Sequence, residues 1–236
     1  MQAIILAGGK GLRLRPFTEK HPKALITIAD KPLITHTLES LPDEITEIII
    51  VVGYLAEQIK DYLGNTWQNK PIRYITQKVL QGTGDALLQT KHVVEQNFLV
   101  VNGDDLYFKK DLTALLAYPL SILAWKSTVA TEFGLKAGES GKLLGFDSSS
   151  PLVNAGAYHL TKDFFDNALV PISVHGNTEY SLPHTLMQIA QKQIVKVVQA
   201  THWLPVGTPT QHSFANTIWW CLFEKVRTHF VENPEN

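Results

Sequence analysis

The sequence is short of sulfur, with a single cysteine, Cys221, and two methionines among 236 residues. One thiol cannot make an internal disulfide or a cysteine-based metal cluster. No run of about 18 apolar residues occurs, the length that a membrane-spanning helix needs. The net charge is −1, from 21 Lys+Arg against 22 Asp+Glu. Such a balance gives no global attraction to nucleic acid or an anionic membrane, so any anion binding must be local. The nine histidines are scattered and form no H-E-x-x-H pair. Internal repeats and Pro/Gly/Ser-rich linkers are also missing. The first strand begins by Gln2 or Ala3, which leaves no room for a signal peptide, and the expected location is cytoplasmic.

What is present suffices for a core: 44% of residues are hydrophobic and 18% charged. Short apolar runs alternate with helix-period segments, the pattern of a layered α/β protein. Strands are expected at Gln2–Ala7, Glu47–Val52, Ile72–Thr76 and Phe98–Val101, then at Ser121–Lys126, Leu143–Asp147, Val153–His159 and Ile194–Gln199. Helices are expected from Pro32 to Ser40 with Asp30 as a cap, at Leu55–Leu63, at Asp85–Val94, from Lys162, near Glu179–Gln191 and over Thr210–Val231. These elements read as one domain, 1–236. A first half covers about 1–115, a second about 116–209, and a C-terminal helix with a frayed tail 210–236. Trp219-Trp220 in that last helix is read as core or docking surface, and a homo-oligomeric contact there stays open.

The sharpest signal is the opening, Ile4-Ile5-Leu6-Ala7-Gly8-Gly9-Lys10-Gly11-Leu12-Arg13, with Pro22-Lys23 ten residues later. Glycines after a buried strand let backbone N–H groups approach a polyphosphate closely. Arg13 adds paired donors and fixed charge, and Lys23 a mobile point charge. Two familiar glycine motifs do not fit. A dinucleotide fingerprint needs glycine at position 14, which is Leu14. A Walker loop needs Ser or Thr after Lys10, where Gly11 stands, and glycine at position 4, which is Ile4.

The pattern resembles the sugar-1-phosphate nucleotidylyltransferase family, whose signature reads L-A-G-G-x-G-x-R-L-x-P-x-T followed by P-K. Leu6 through Thr18 and Pro22-Lys23 match it, with Leu12 where Thr or Ser is usual. The resemblance implies a Rossmann-like α/β/α sandwich around a mixed, mostly parallel sheet. It also implies transfer of a nucleotide from an NTP to a sugar 1-phosphate, with pyrophosphate released. Leu6, Ala7, Gly8, Gly9 and Gly11 would then hold the nucleotide, with Arg13 and Lys23 as catalytic cations.

Other segments follow in the family's order. Asn102-Gly103-Asp104 ends a buried strand, and a carboxylate there suits Mg²⁺. Asp104 is the matched position, although Asp104 or Asp105 also reads as a turn cap. Gln77 with Gly82-Thr83-Gly84 resembles the base-recognition segment. An amide offers both a donor and an acceptor to the imide edge of uracil or thymine, which favours UTP, then dTTP. Thr83 reads equally as a helix cap. Phe133-Gly134, Asn154 and Glu179 resemble sugar contacts, while Asn154 also reads as a turn residue and Glu179 as a first-turn helix acid.

Two departures stand out. Ser148-Ser149-Ser150-Pro151 replaces the usual Glu-Lys-Pro. In the family's Trp-x-Asp-x-Gly-Thr, which supplies a second metal carboxylate, this chain has Trp203-Leu204-Pro205-Val206-Gly207-Thr208. Proline cannot ligate a cation. The length and the lack of a hexapeptide-repeat tail are similar to short uridylyltransferases acting on N-acetylmuramic or related amino-sugar 1-phosphates. The competing reading is a nucleotide-sugar-binding regulatory protein with impaired catalysis.

Overall fold

The computed structural model describes residues 1–128 and 134–219. Its centre is an eight-stranded sheet. The strand order is Lys196–Gln199, Ser121–Lys126, Leu152–Thr161, Asn97–Asn102, Gln2–Leu6, Glu47–Val52, Lys70–Thr76 and Thr66–Trp67. Neighbours pair in parallel except around Leu152–Thr161 and Thr66–Trp67, which run against theirs. The sheet is therefore mixed and mostly parallel.

Strands buried on both faces read as continuous apolar runs. Gln2–Leu6 and Glu47–Val52 do so because helices cover each side. Ile4, Leu6, Ile49 and Val51 pack with Ala86 and Leu87 of the helix Gly82–Leu88, and with Leu182, Leu186 and Ile189 of the helix Leu182–Ala190. Ala3, Ile5, Ile48, Ile50 and Val52 face the opposite layer. There they meet the helices Leu33–Glu39, Ala56–Leu63 and Lys109–Leu115. Each fully buried isoleucine stabilises the fold by roughly 1.5–3 kcal/mol. The result is the α/β/α sandwich that the alternation predicts.

A third, smaller core holds Leu14, Ile26, Ile28, Leu33, Leu106 and Val206 under Ala215 and Trp219. The last two belong to helical residues 209–219. Trp219 is a core residue, and its ring meets His36 edge-on at 4.3 Å. Phe133, Trp220 and the rest of the expected C-terminal helix and tail lie outside the described residues. No helix among the described residues is long and apolar enough to cross a membrane.

Several expectations are corrected. Asp30 does not cap the helix that follows: the helix begins after Pro32 without a side-chain cap, and Asp30 has φ 62°. The helix expected at Asp85–Val94 is Gly82–Leu88, because Gly82 with φ +89° enters the first turn. Lys162–Asp166 is a short 3-10 turn. Glu179 is on a strand, not a helix. Val170–Val174 and Asn177–Ser181 form an antiparallel hairpin closed by His175-Gly176, both with positive φ. Asp105–Tyr107 pairs with Trp203–Pro205, placing Pro205 opposite Asp105.

Candidate active site

The carboxyl ends of parallel strands are where an open α/β sheet receives ligands, and here they open into a cavity of about 560 Å³. Strand Gln2–Leu6 enters it between two neighbours. Gly103 N–H donates to Leu6 O at 3.0 Å, Ala7 N–H to Val51 O at 2.8 Å, and Tyr54 N–H to Gly8 O at 3.0 Å. Beyond these bonds the chain leaves the sheet. The N–H groups of Gly8, Gly9, Lys10 and Gly11 meet no acceptor among the described residues. All four residues line the cavity. Successive free amides in such a glycine-rich turn are the material of an anion cradle.

Gly11 closes the cradle with φ +61° and opens a 3-10 turn, Leu12–Leu14, that carries Arg13 into the cavity lining. The Gly11 carbonyl accepts from the buried Thr18 hydroxyl at 2.8 Å. A Cβ at Gly11 would lie 3.1 Å from Cβ of Lys23. The two halves of the opening motif thus lie side by side, with no room for a side chain between them. Lys23 Nζ reaches across the cavity to Asp104 Oδ2 at 2.6 Å, with side chains 12% and 33% exposed.

Asp104 and Asp105 have separate fates. Asp104 faces the cavity. Asp105 turns inward and accepts from Val206 N–H at 3.3 Å. Burial, reinforced by the neighbouring charge of Asp104, pushes its pKa up to about 7. The turn-cap reading therefore does not describe Asp104, and Asp105 serves the ladder with Trp203–Pro205.

Gln77 is buried at the end of Lys70–Thr76 and lines the cavity. Its Nε2 donates to Asp85 Oδ2 at 2.7 Å and to Gly82 O at 3.1 Å. Both amide protons are spent inside the protein, so the expected donor-plus-acceptor face is reduced to an acceptor. Thr83 Oγ1 accepts from Leu182 N–H at 3.2 Å and is not a cap for its own helix. A Cβ on Gly82 would sit 2.6 Å from Tyr180 O, so this glycine also admits the hairpin.

That hairpin forms the far wall. Register pairs Ile172 with Glu179 and Val174 with Asn177, and all four line the cavity with His175. Of these, only Glu179 was a sequence candidate. A Val-Pro-Ile-Ser-Val alternation ending at His-Gly was the available signal, weakened by Pro171.

Gly134 and Asn154 are not among the lining residues. Gly134 bridges to Val153 and its carbonyl accepts from Asp147 N–H at 2.8 Å. Asn154 Nδ2 donates to the Tyr158 hydroxyl at 2.7 Å, and its Oδ1 accepts from Gly156 N–H at 2.9 Å. Both polar ends of Asn154 hold an irregularity of its own strand. In the replaced Ser148-Ser149-Ser150-Pro151 segment, Ser149 bonds the Asp147 carboxylate through N–H and hydroxyl, at 2.9 and 2.6 Å.

A family model described as nucleotidyl transferase matches residues 2–217. The chain belongs to that family. Among its relatives, a "Bifunctional protein GlmU" of Methanocaldococcus jannaschii is 32% identical over 235 residues, 97% of this chain and 56% of that one. The chain thus spans about half the length of such relatives. A D-glycero-alpha-D-manno-heptose 1-phosphate guanylyltransferase of Campylobacter jejuni is 35% identical over 175 residues, 71% of this chain and 79% of that one. A solved structure of a putative glucose-1-phosphate thymidylyltransferase from Bacillus anthracis superposes with TM-score 0.80 at 21% identity, covering 92% of this chain and 94% of that one. Its likeness is one of fold.

The cavity offers a metal few groups. Asp104 and Glu179 are the carboxylates in the cavity lining. No set of three His, Cys, Asp or Glu groups comes together among the described residues. One partly buried carboxylate, Asp104, fits Mg²⁺, which keeps waters and takes the rest of its shell from substrate phosphates.

Proposed function

We propose that the cavity joins an NTP to a sugar 1-phosphate, giving a nucleotide sugar and pyrophosphate. A sugar-phosphate oxygen attacks the α-phosphorus in line, the P–O bond to the β-phosphate breaks, and pyrophosphate departs. Catalysis of this kind is largely positioning and charge neutralisation. The free amides of Gly8 to Gly11 take the β- and γ-phosphates. Arg13 neutralises the leaving pyrophosphate, and Lys23 the phosphates that react. Mg²⁺ at Asp104 supplies further positive charge. Gln77 meets the base, UTP first and dTTP next, and Glu179 the sugar hydroxyls.

The observation that carries this reading is the Lys23–Asp104 pair placed beside the free amides of Gly8–Gly11. A cation and a metal-type carboxylate on one anion cradle fit a reaction in which phosphates change partners. The names of the relatives span different bases and sugars, so the substrate pair rests on the cavity. The test is pyrophosphate release by the purified chain with Mg²⁺, four NTPs and a panel of sugar 1-phosphates. Release that needs one NTP and one sugar phosphate supports the transferase.

Pro205 favours a second reading, nucleotide-sugar binding without turnover. It stands where the family signature has its second metal carboxylate. Binding of a nucleotide sugar with no release from any pair would select that reading.

A further inference from the structure

Asp85 lies one turn into the helix Gly82–Leu88, and both of its carboxylate oxygens are engaged by side-chain amides. Oδ2 accepts from Gln77 Nε2 at 2.7 Å and Oδ1 from Gln89 Nε2 at 3.0 Å. The second proton on Gln77 Nε2 goes to Gly82 O. Rotating the Gln77 amide by half a turn would aim its oxygen at two acceptors, a carboxylate and a carbonyl. That orientation is excluded by the partners themselves, since neither has a proton to give. The oxygen is therefore fixed at the cavity side. It points toward Gly8, where an added Cβ would come within 3.2 Å of it. No donor among the described residues reaches it.

We propose that Asp85 is a positioning residue that sets base choice by locking Gln77 with its amide oxygen toward the ligand. The proposal rests on the reading of the cavity as a nucleotide site. A fixed acceptor takes a pyrimidine that carries N3–H, which uracil and thymine have. Cytosine presents a lone pair at N3 and meets oxygen against nitrogen. The two bases are nearly equal in size, so the lock discriminates by polarity alone. Gln89 contributes by holding the plane of the Asp85 carboxylate. A free glutamine would not discriminate in this way, because its amide turns to suit either base.

The test is equilibrium binding of UTP and CTP to the full chain with Mg²⁺ and no sugar phosphate. The wild type is expected to bind UTP at least about tenfold more tightly, as an unmade buried hydrogen bond costs on this scale. Asp85→Asn is nearly isosteric, but its amide can either accept from Gln77 or donate to it. In this variant the UTP-to-CTP ratio falls toward one, a change that a purely structural role for Asp85 would not produce. Restoring a carboxylate with Asp85→Glu recovers part of the preference.

Equal binding of both nucleotides by the wild type would refute the lock and leave the nucleotide site standing. An unchanged ratio in folded Asp85→Asn would also refute it. Binding of no nucleotide would remove the reading of the cavity, and the lock with it. A measurement on wild-type protein guards against a variant that does not fold. The Gln77 side-chain NH₂ protons, both hydrogen-bonded, are expected to exchange slowly in the free protein by NMR, and rapid exchange at that amide overturns the proposal.

Discussion

Lys23 and Asp104 are 81 residues apart in the chain, yet their charged ends are 2.6 Å apart. The lysine is the better buried of the two. Each offsets the other's charge at the cavity wall. Phosphate oxygens and a divalent ion compete for these same two groups.

Lys23→Ala and Asp104→Asn should each lower kcat by about a hundredfold or more, the usual loss when a preorganised charge is removed. The double variant should cost little more than either single one, because the two groups act as a unit. Single-turnover rates on proteins with unchanged melting behaviour check this. A wild-type rate in either single variant removes that residue from the reaction.

Removing the lysine also frees the carboxylate. Lys23→Met should bind Mn²⁺ more tightly than the wild type does in the absence of nucleotide. Mn²⁺ titration followed by EPR reads this directly. Equal affinity would mean that the ion pair does not compete with the metal.

Gly11→Ala combines a backbone cost with a steric one. A residue with a Cβ at φ +61° loses about 1–2 kcal/mol. The added carbon would also press on Lys23 at 3.1 Å. Thermal melts should show the first effect, and a fall in kcat/KM beyond what the melt predicts the second. A stable, fully active variant would count against the close approach of the two halves of the motif.

Glu179→Gln keeps the shape of the hairpin wall opposite Ile172 and removes a charge. KM for the sugar phosphate should rise while KM for the NTP holds. Equal rises in both would place Glu179 with the nucleotide instead.

Stability should also fall in acid through two buried imidazoles. His36 donates from Nε2 to Ile28 O at 2.9 Å, and His159 from Nδ1 to Tyr118 O at 2.6 Å. Burial lowers the pKa of both rings below the ordinary 6.5. Unfolding lets them take up protons, so their contribution is complete above pH 6.5 and is lost as pH falls through the lowered folded values. Urea midpoints from pH 7.5 to 5 should decline in the wild type and decline less steeply in His159→Gln. Parallel slopes would assign the acid sensitivity to other groups.

The parts of this site legible in the sequence are those fixed by short-range chemistry. Gly8 to Lys23 could be read because a buried strand, glycines and cations follow one another. Gln77 and Asp104 could be placed because each sits at the end of an apolar run. What depended on distant partners could not. The inward turn of Asp105 depends on the ladder that sets it against Pro205, a hundred residues on. Asn154 had the right chemistry for a sugar, but Tyr158 and Gly156 each take one bond from its amide, and it is not among the residues lining the cavity. The hairpin at 170–181 stayed hidden because its turn uses a histidine at positive φ and its first strand contains Pro171.

The cradle at Gly8 to Gly11 is made of peptide groups rather than side chains. Such a site has no titrating part, so its pull on an anion is the same in mild acid as in mild base. It is also untouched by exchange of side chains that leave the path of the chain alone. Under the proposed reading, substitution at Lys23 would therefore slow the chemistry while the peptide cradle and Arg13 still held pyrophosphate, and product inhibition would outlast activity.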